Sequence, residues 1–414
     1  MENYQQDFLQ IIKSAIHHLP LRLTEAADYG KILALAREQN LLALVGEKLC
    51  ESAEFRASAA YGKAIAATVG LVAGQVSRTE TFLQLYRKFE KAGIRPLVMK
   101  GIICRELYGE FRDHRPSGDE DLLIRPGDFP ALRQVMEENG MQMEREIVSE
   151  QELEMLQEIT FEDRNAELHI EVHTNPMGIG TWIRRKMNRY FTDVFERACA
   201  VRIDNTEIWT MHPSDHLLFL VLHAFKHLMT GGIGIRQALD IYLFLEQYRT
   251  AIDWDYLRKA LRETKAEKFF VDLLAIGNHF LGFAFEIDGE PDCPEILLED
   301  MLENGVFGNE TQAQRTAASM TAAAIREGKS YSKTGAVLRA IFPNRRILAA
   351  GYPVLVRKPW MLPVCWCIRW GRFLRHNREN GGGLAGASVS ASQKRIDILK
   401  SYGIIMTKNS QKKK

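Results

Sequence analysis

Apolar residues in the first 92 positions recur at helical spacing: Phe8, Ile11, Ile12 and Ile16, then Leu41, Leu44, Val45 and Leu49. That spacing predicts a helical region over 1–92, with Thr24 or Asp28 placed to cap an early helix. Residues 63–89 read as one long helix, rich in alanine and punctuated by Gly70 and Gly74. From Gly93 the period changes. Ile94 to Met99 is a short apolar run after a glycine turn, the pattern of a buried strand, and Lys100-Gly101 follows it. A helix and a basic Arg-Pro loop then lead to a second strand over Asp119 to Ile124. Pro126 to Gly140 reads as loop then helix, with Asp128 as a cap and Leu132, Val135 and Met136 on the apolar face.

A strand is expected near Met141, followed by an acidic stretch from Glu150 to Glu158 with no clear period. The run EITFEDRNAELHIEVHT alternates as a hairpin turning at Asp163-Arg164-Asn165. Val201 to Ile203 and Ile208-Trp209 flank Asp204-Asn205-Thr206, a second hairpin expected to close the same sheet. The apolar helix LLFLVLHAFKHLM and the amphipathic IRQALDIYLFLEQY come next, and helices continue to about 342 with a break at Pro291 to Pro294. The order of elements predicts an α+β fold, a small mixed sheet with flanking helices and helical regions at both ends. The expected divisions are a helical region at 1–92, the sheet-bearing core at 93–210, a helical domain at 211–375, and a linker, short helix and basic tail at 376–414.

A length of 414 residues suits two or three domains. The hydrophobic fraction of 46% and charged fraction of 26% are those of an ordinary globular protein. With 54 basic and 53 acidic residues the formal charge is +1, which gives no general electrostatic case for nucleic acid. Six scattered cysteines lack zinc or disulfide spacing, and neither a signal peptide nor a long apolar run is evident, so a reducing cytoplasm is the expected location. The stretch 346–375 mixes aromatic, apolar and basic residues. It is read either as packing on its own protein or as a peripheral membrane or protein contact.

The candidate chemistry lies in Met99 to Ile124. Alternation on a strand sends Asp119 and Asp121 to one face, and two carboxylates that close need a proton or a cation between them. Mg2+ suits them, because it takes oxygen ligands and binds through carboxylates and substrate phosphates. Gly101 lets a backbone approach phosphate, the next helix offers N–H groups, and Lys100 offers a point charge. Arg112 and Arg115 have the fork that bonds two phosphate oxygens, or they pair with Glu110, Asp113 or Glu120. On the second arm of the first hairpin, His169, Glu171 and His173 share a face, either as a wet sheet surface or as part of a site. Arg236 and Asp240 stand at i,i+4, as an ion pair or with Arg236 reaching a ligand. His223 and His227 have the same spacing, and packing is the plainer reading of them.

These motifs resemble the nucleotidyltransferase superfamily and, more narrowly, a bacterial nucleotidyltransferase-like family with an LKG turn and an RPxGDxDLLV strand. Here they stand as Val98-Met99-Lys100-Gly101 and Arg115-Pro116-Ser117-Gly118-Asp119-Glu120-Asp121-Leu122-Leu123-Ile124, and the resemblance covers about 80 to 250. Glu120 stands where the family usually has an apolar residue. The resemblance implies that Asp119, Asp121 and Glu171 hold two Mg2+ (or Mn2+) ions, with His173 touching substrate or supporting a ligand. Lys100, Gly101 and Arg115 would place the triphosphate, and Arg236 would reach the nucleotide or acceptor. The implied activity is transfer of NMP from an NTP to an acceptor hydroxyl on a small molecule, sugar, protein or RNA end. The competing hypothesis is a degenerate core that binds nucleotide or a partner without turnover.

Overall fold

A computed structural model describes residues 1–145, 147, 153, 158–163, 168–178, 182–229, 231–305, 342, 345–348, 352, 354–379 and 395–404. Most of the acidic run at 150–158, the turn at 164–167, the small-residue linker and the lysine tail lie outside the described residues.

The first helices are α1 (Asn3–Ile16), α2 (Tyr29–Glu38), α3 (Leu42–Leu49) and α4 (Ala53–Ala57). Asp28 does cap α2, accepting the Lys31 N–H at 3.0 Å, while Thr24 donates to the buried carboxylate of Asp7. The expected long helix is α5 (Tyr61–Lys91). Its large buried apolar residues lie in the C-terminal half, where Phe82, Tyr86 and Phe89 enter the core.

After Gly93 come β1 (Leu97–Val98), α6 (Ile102–Glu106), a 3-10 turn at Gly109–His114 and β2 (Glu120–Leu123). Then follow α7 (Phe129–Glu138), β3 (Gln142–Met143), β4 (Ile159–Glu162) and β5 (His169–His173). The five strands form one mixed sheet in the order β1-β2-β5-β4-β3, with β2 and β5 parallel and the other neighbours antiparallel. The fold is thus the mixed α+β arrangement expected. Alternation gives the sheet two unlike faces. Leu122, Ile170, Val172 and Phe161 go to the core with Phe82, Tyr86, Leu132 and Met136 from α5 and α7. Asp121, Glu171 and His173 take the opposite face.

After α8 (Trp182–Asn188), the hairpin β6 (Cys199–Ile203) and β7 (Thr206–Thr210) corrects one expectation. It is a separate two-stranded sheet and does not extend the core sheet. Side chains tie it to the core: Tyr86 Oη accepts the Trp209 N–H at 2.9 Å, and Thr210 Oγ1 donates to the Val98 carbonyl at 2.6 Å. The helices α9 (Pro213–Leu228), α10 (Ile235–Tyr248), α11 (Trp254–Thr264) and α12 (Glu267–Leu281) follow.

The chain divides into two compact units, one of residues 1–226 and 234–291, the other of 227–233 and 292–414. In the second unit, α13 (Pro294–Asn304) and a helix at 395–401 are joined by buried Asp300 and Arg395, whose charged atoms lie 3.6 Å apart. The short helices α14 (Arg345–Leu348) and α15 (Val354–Arg357) precede α16 (Leu362–Glu379), and Leu348, Leu355 and Cys365 form a small core among them. No helix among the described residues is long and apolar enough to cross a membrane.

Candidate functional site

The parallel register sets Asp121 beside Glu171 and Leu123 beside His173. Asp121, Glu171 and His173 therefore share one sheet face, and a ligand atom from each lies within 4.8 Å of the others. Asp121 Oδ1 is 3.2 Å from His173 Nε2, and that nitrogen is 3.7 Å from Glu171 Oε2. The fourth group is Lys100, whose ammonium lies 2.9 Å from Asp121 Oδ2. Asp119, half-buried one residue ahead of β2, is outside the three-residue cluster but close enough to act electrostatically on Lys100.

Burial of these charges is offset by their mutual attraction. Asp121 is almost wholly buried, which alone would raise its pKa, yet Lys100 and the His173 hydrogen bond hold it well below the usual carboxylate range. Burial opposes charging of Lys100, but Asp121, Asp119 and Glu171 outweigh it and keep the ammonium protonated. His173 follows the same logic. Burial pushes its pKa down, and the bonds to Asp121 and Glu171 push it up to about 9.

Gly101 shows what its glycine is for. It sits at φ 55° and ψ −117°, and a Cβ there would lie 1.9 Å from Glu120 Oε2. Glu120 points away from the acid cluster and accepts the Ile102 N–H at 2.8 Å, so the N–H expected to face phosphate already has a carboxylate. Burial raises the Glu120 carboxyl to about 7, with Arg105 and the Ile102 N–H pulling the other way.

Arg115 is also occupied. Its Nε and Nη2 each donate at 2.7 Å to Asp240, one to each carboxylate oxygen, and Tyr108 Oη donates to Asp240 Oδ1 at 2.9 Å. Asp240 therefore pairs across the fold and not with Arg236 one turn away. Arg236 is half-buried and makes no hydrogen bond or ion pair with the described residues. Its pKa is lowered first by burial and then by Arg115, with Asp240, Tyr108 and Asp119 opposing. Arg112 lies apart from the cluster, 3.4 Å from Glu106 and 3.3 Å from Asp204.

Two further residues position or charge the site. His216 on α9 bonds the Met99 carbonyl at 2.7 Å, and Met99 N–H bonds the Asp121 carbonyl at 2.9 Å, so the Met99 backbone just ahead of Lys100 is anchored through both its polar groups. Burial holds His216 down to about 4, hence neutral. Lys226, also on α9, is buried within electrostatic reach of Lys100, Arg184, Asp121 and Glu158. Burial first, then Lys100 and Arg184, bring its pKa down to about 8. A lone lysine inside HAFKHL was the available signal for it. Among the described residues, Asp121, Glu171 and His173 form the one group with metal-ligand geometry, so His223 and His227 belong to no such group.

A small mixed sheet with flanking helices and one acid-lined face is consistent with a nucleotidyltransferase fold. The comparison of families agrees: residues 25–282 match the model of the uncharacterised nucleotidyltransferases, and the chain belongs to that family. No curated protein and no solved structure matches it.

Proposed function

We propose that the chain is a divalent-metal-dependent nucleotidyltransferase that moves NMP from an NTP to an acceptor hydroxyl. The observation that carries this reading is the convergence of Asp121, Glu171 and His173 within 4.8 Å on paired parallel strands. Two carboxylates and an imidazole are a fitting donor set for Mg2+ or Mn2+, the imidazole favouring the latter. The buried Asp121 Oδ2, which faces a lysine ammonium and no hydrogen-bond donor of good geometry, also fits a cation-binding position. When bound, the cations would acidify the acceptor hydroxyl and neutralise charge on the phosphates.

The protein's own groups supply the rest. Asp121 and Glu171 hold the cation site, and Asp119 completes it from the mouth of β2. Lys100 turns from Asp121 to the triphosphate of the incoming nucleotide. Arg236, with no ion-pair partner among the described residues, offers its guanidinium to a phosphate. Arg115 acts by pinning the Asp119 loop to α10 through Asp240, a positioning role. Gly101 keeps the turn tight enough for Lys100 to reach the acids.

One observation favours the second reading, a binding core without turnover: Glu120 already satisfies the Ile102 N–H on which a phosphate would dock. Calorimetry of each NTP with and without Mg2+ separates the two. Metal-dependent binding that is lost in Asp119→Ala/Asp121→Ala supports transfer, and it names the donor. Binding of NTP that is indifferent to metal supports the second reading.

A further inference from the structure

From the outward face of α16 we infer that the second unit docks on the surface of an anionic phospholipid bilayer. The stretch 345–378 contains eight basic residues (Arg345, Arg346, Arg357, Lys358, Arg369, Arg372, Arg375 and Arg378) and no acidic one. The rest of the chain is then net −7, so this segment is markedly more basic than the chain as a whole.

The apolar residues beside those charges are turned outward. Cys365 fixes the inward side of α16 against Leu348 and Leu355, with Leu362 and Trp366 packed there. The other side exposes Val364 at 49% and Ile368 at 43%, one turn apart, and Trp360 just ahead of the helix is exposed at 72%. Val364 and Ile368 stand at i,i+4 on α16, and Trp360 lies in the 3-10 turn that leads into it. Lys358 and Arg372, both exposed, flank these three in sequence.

This is the distribution of an interfacial helix: aliphatic residues for the acyl boundary, tryptophan for the headgroup layer, and arginine and lysine for anionic lipid. The alternatives fit the chemistry less well. A nucleic acid offers phosphates to the arginines but no apolar phase to Val364 and Ile368. A second copy would bring eight like charges against eight. No helix among the described residues can span a bilayer, so α16 lies in the plane of the surface.

The test is co-sedimentation of the full chain with vesicles of phosphatidylcholine alone, or with about a third phosphatidylserine. The expected result is binding at least ~10-fold tighter to the anionic vesicles, weakened by salt. Val364→Asp/Ile368→Asp and Lys358→Glu/Arg372→Glu should each abolish it. All four positions are exposed, and an unchanged circular dichroism spectrum confirms that the variants fold. No binding to either vesicle, equal binding by the variants, or retention on single-stranded RNA in place of vesicles would overturn the inference.

Discussion

Removing one partner of the bidentate pair between Arg115 and Asp240 should cost far more than replacing both together. The pair's side chains are 2% and 6% exposed, both guanidinium bonds are 2.7 Å, and Tyr108 adds a third bond to the same carboxylate. Removing one partner leaves a buried charge uncompensated, which costs ~3–5 kcal/mol. Asp240→Asn and Arg115→Ala are each expected to lose that much in urea denaturation followed by circular dichroism. Arg115→Lys should fall nearly as far, because an ammonium cannot bond both oxygens along parallel lines. Replacing both residues by apolar ones of similar volume (Arg115→Met/Asp240→Leu) should cost well under the sum, with a coupling of at least ~2 kcal/mol. Far-UV spectra before denaturation show whether each variant starts folded. Single variants within ~1 kcal/mol of wild type, and an additive cycle, would refute the positioning role of Arg115. If Arg115 then weakened NTP binding at unchanged stability, it would be a substrate contact instead.

Two further outcomes follow from the glycine turn. Gly101→Ala should destabilise by ~2 kcal/mol or more, since its Cβ meets the Glu120 carboxylate and the backbone sits in the glycine-favoured region; thermal denaturation reads the loss, and adding Glu120→Ala should recover part of it. Glu120 is raised in the folded state from 4.5 to about 7, so the fold holds its proton more tightly than the unfolded chain does. Its stabilising contribution is therefore complete below the unfolded value and is lost as pH rises through about 7, by at most ~3 kcal/mol. Glu120→Gln keeps an acceptor for Ile102 and cannot ionise, so it should flatten the stability profile across that window; a profile as steep as wild type would assign the slope to another group.

The sequence made the elements more legible than their pairing. The change of period at Gly93, the long α5 and the alternation of Ile170 and Val172 are local patterns, and they appear as read. The parallel join of β2 to β5 is not local: it crosses about 50 residues of chain, and only the register reveals that Glu171 stands beside Asp121. A still longer separation hid the partner of Arg115, 125 residues away. The i,i+4 rule suggested Arg236 for Asp240, but a buried bidentate bond from another element outweighs a neighbour on the same helix. Glu120, a charge where the family usually has an apolar residue, lies buried on the core side of the strand. The structure gives it a backbone donor and nearby arginines, which no spacing rule would supply. His173 read as a supporting residue because its reach depends on the twist and register of the paired strands. Its Nε2 lies 3.2 Å from Asp121 Oδ1 and 3.7 Å from Glu171 Oε2, within reach of both acids.

The most direct measurement of the central claim is Mn2+ binding by electron paramagnetic resonance, on the wild type and on Asp121→Asn and Glu171→Gln. The account predicts one saturable class of bound Mn2+ in the wild type, weakened more than ~10-fold in each variant, and strengthened when NTP is added. Mn2+ bound equally by all three proteins, or by none with NTP present, would contradict a metal site at Asp121, Glu171 and His173.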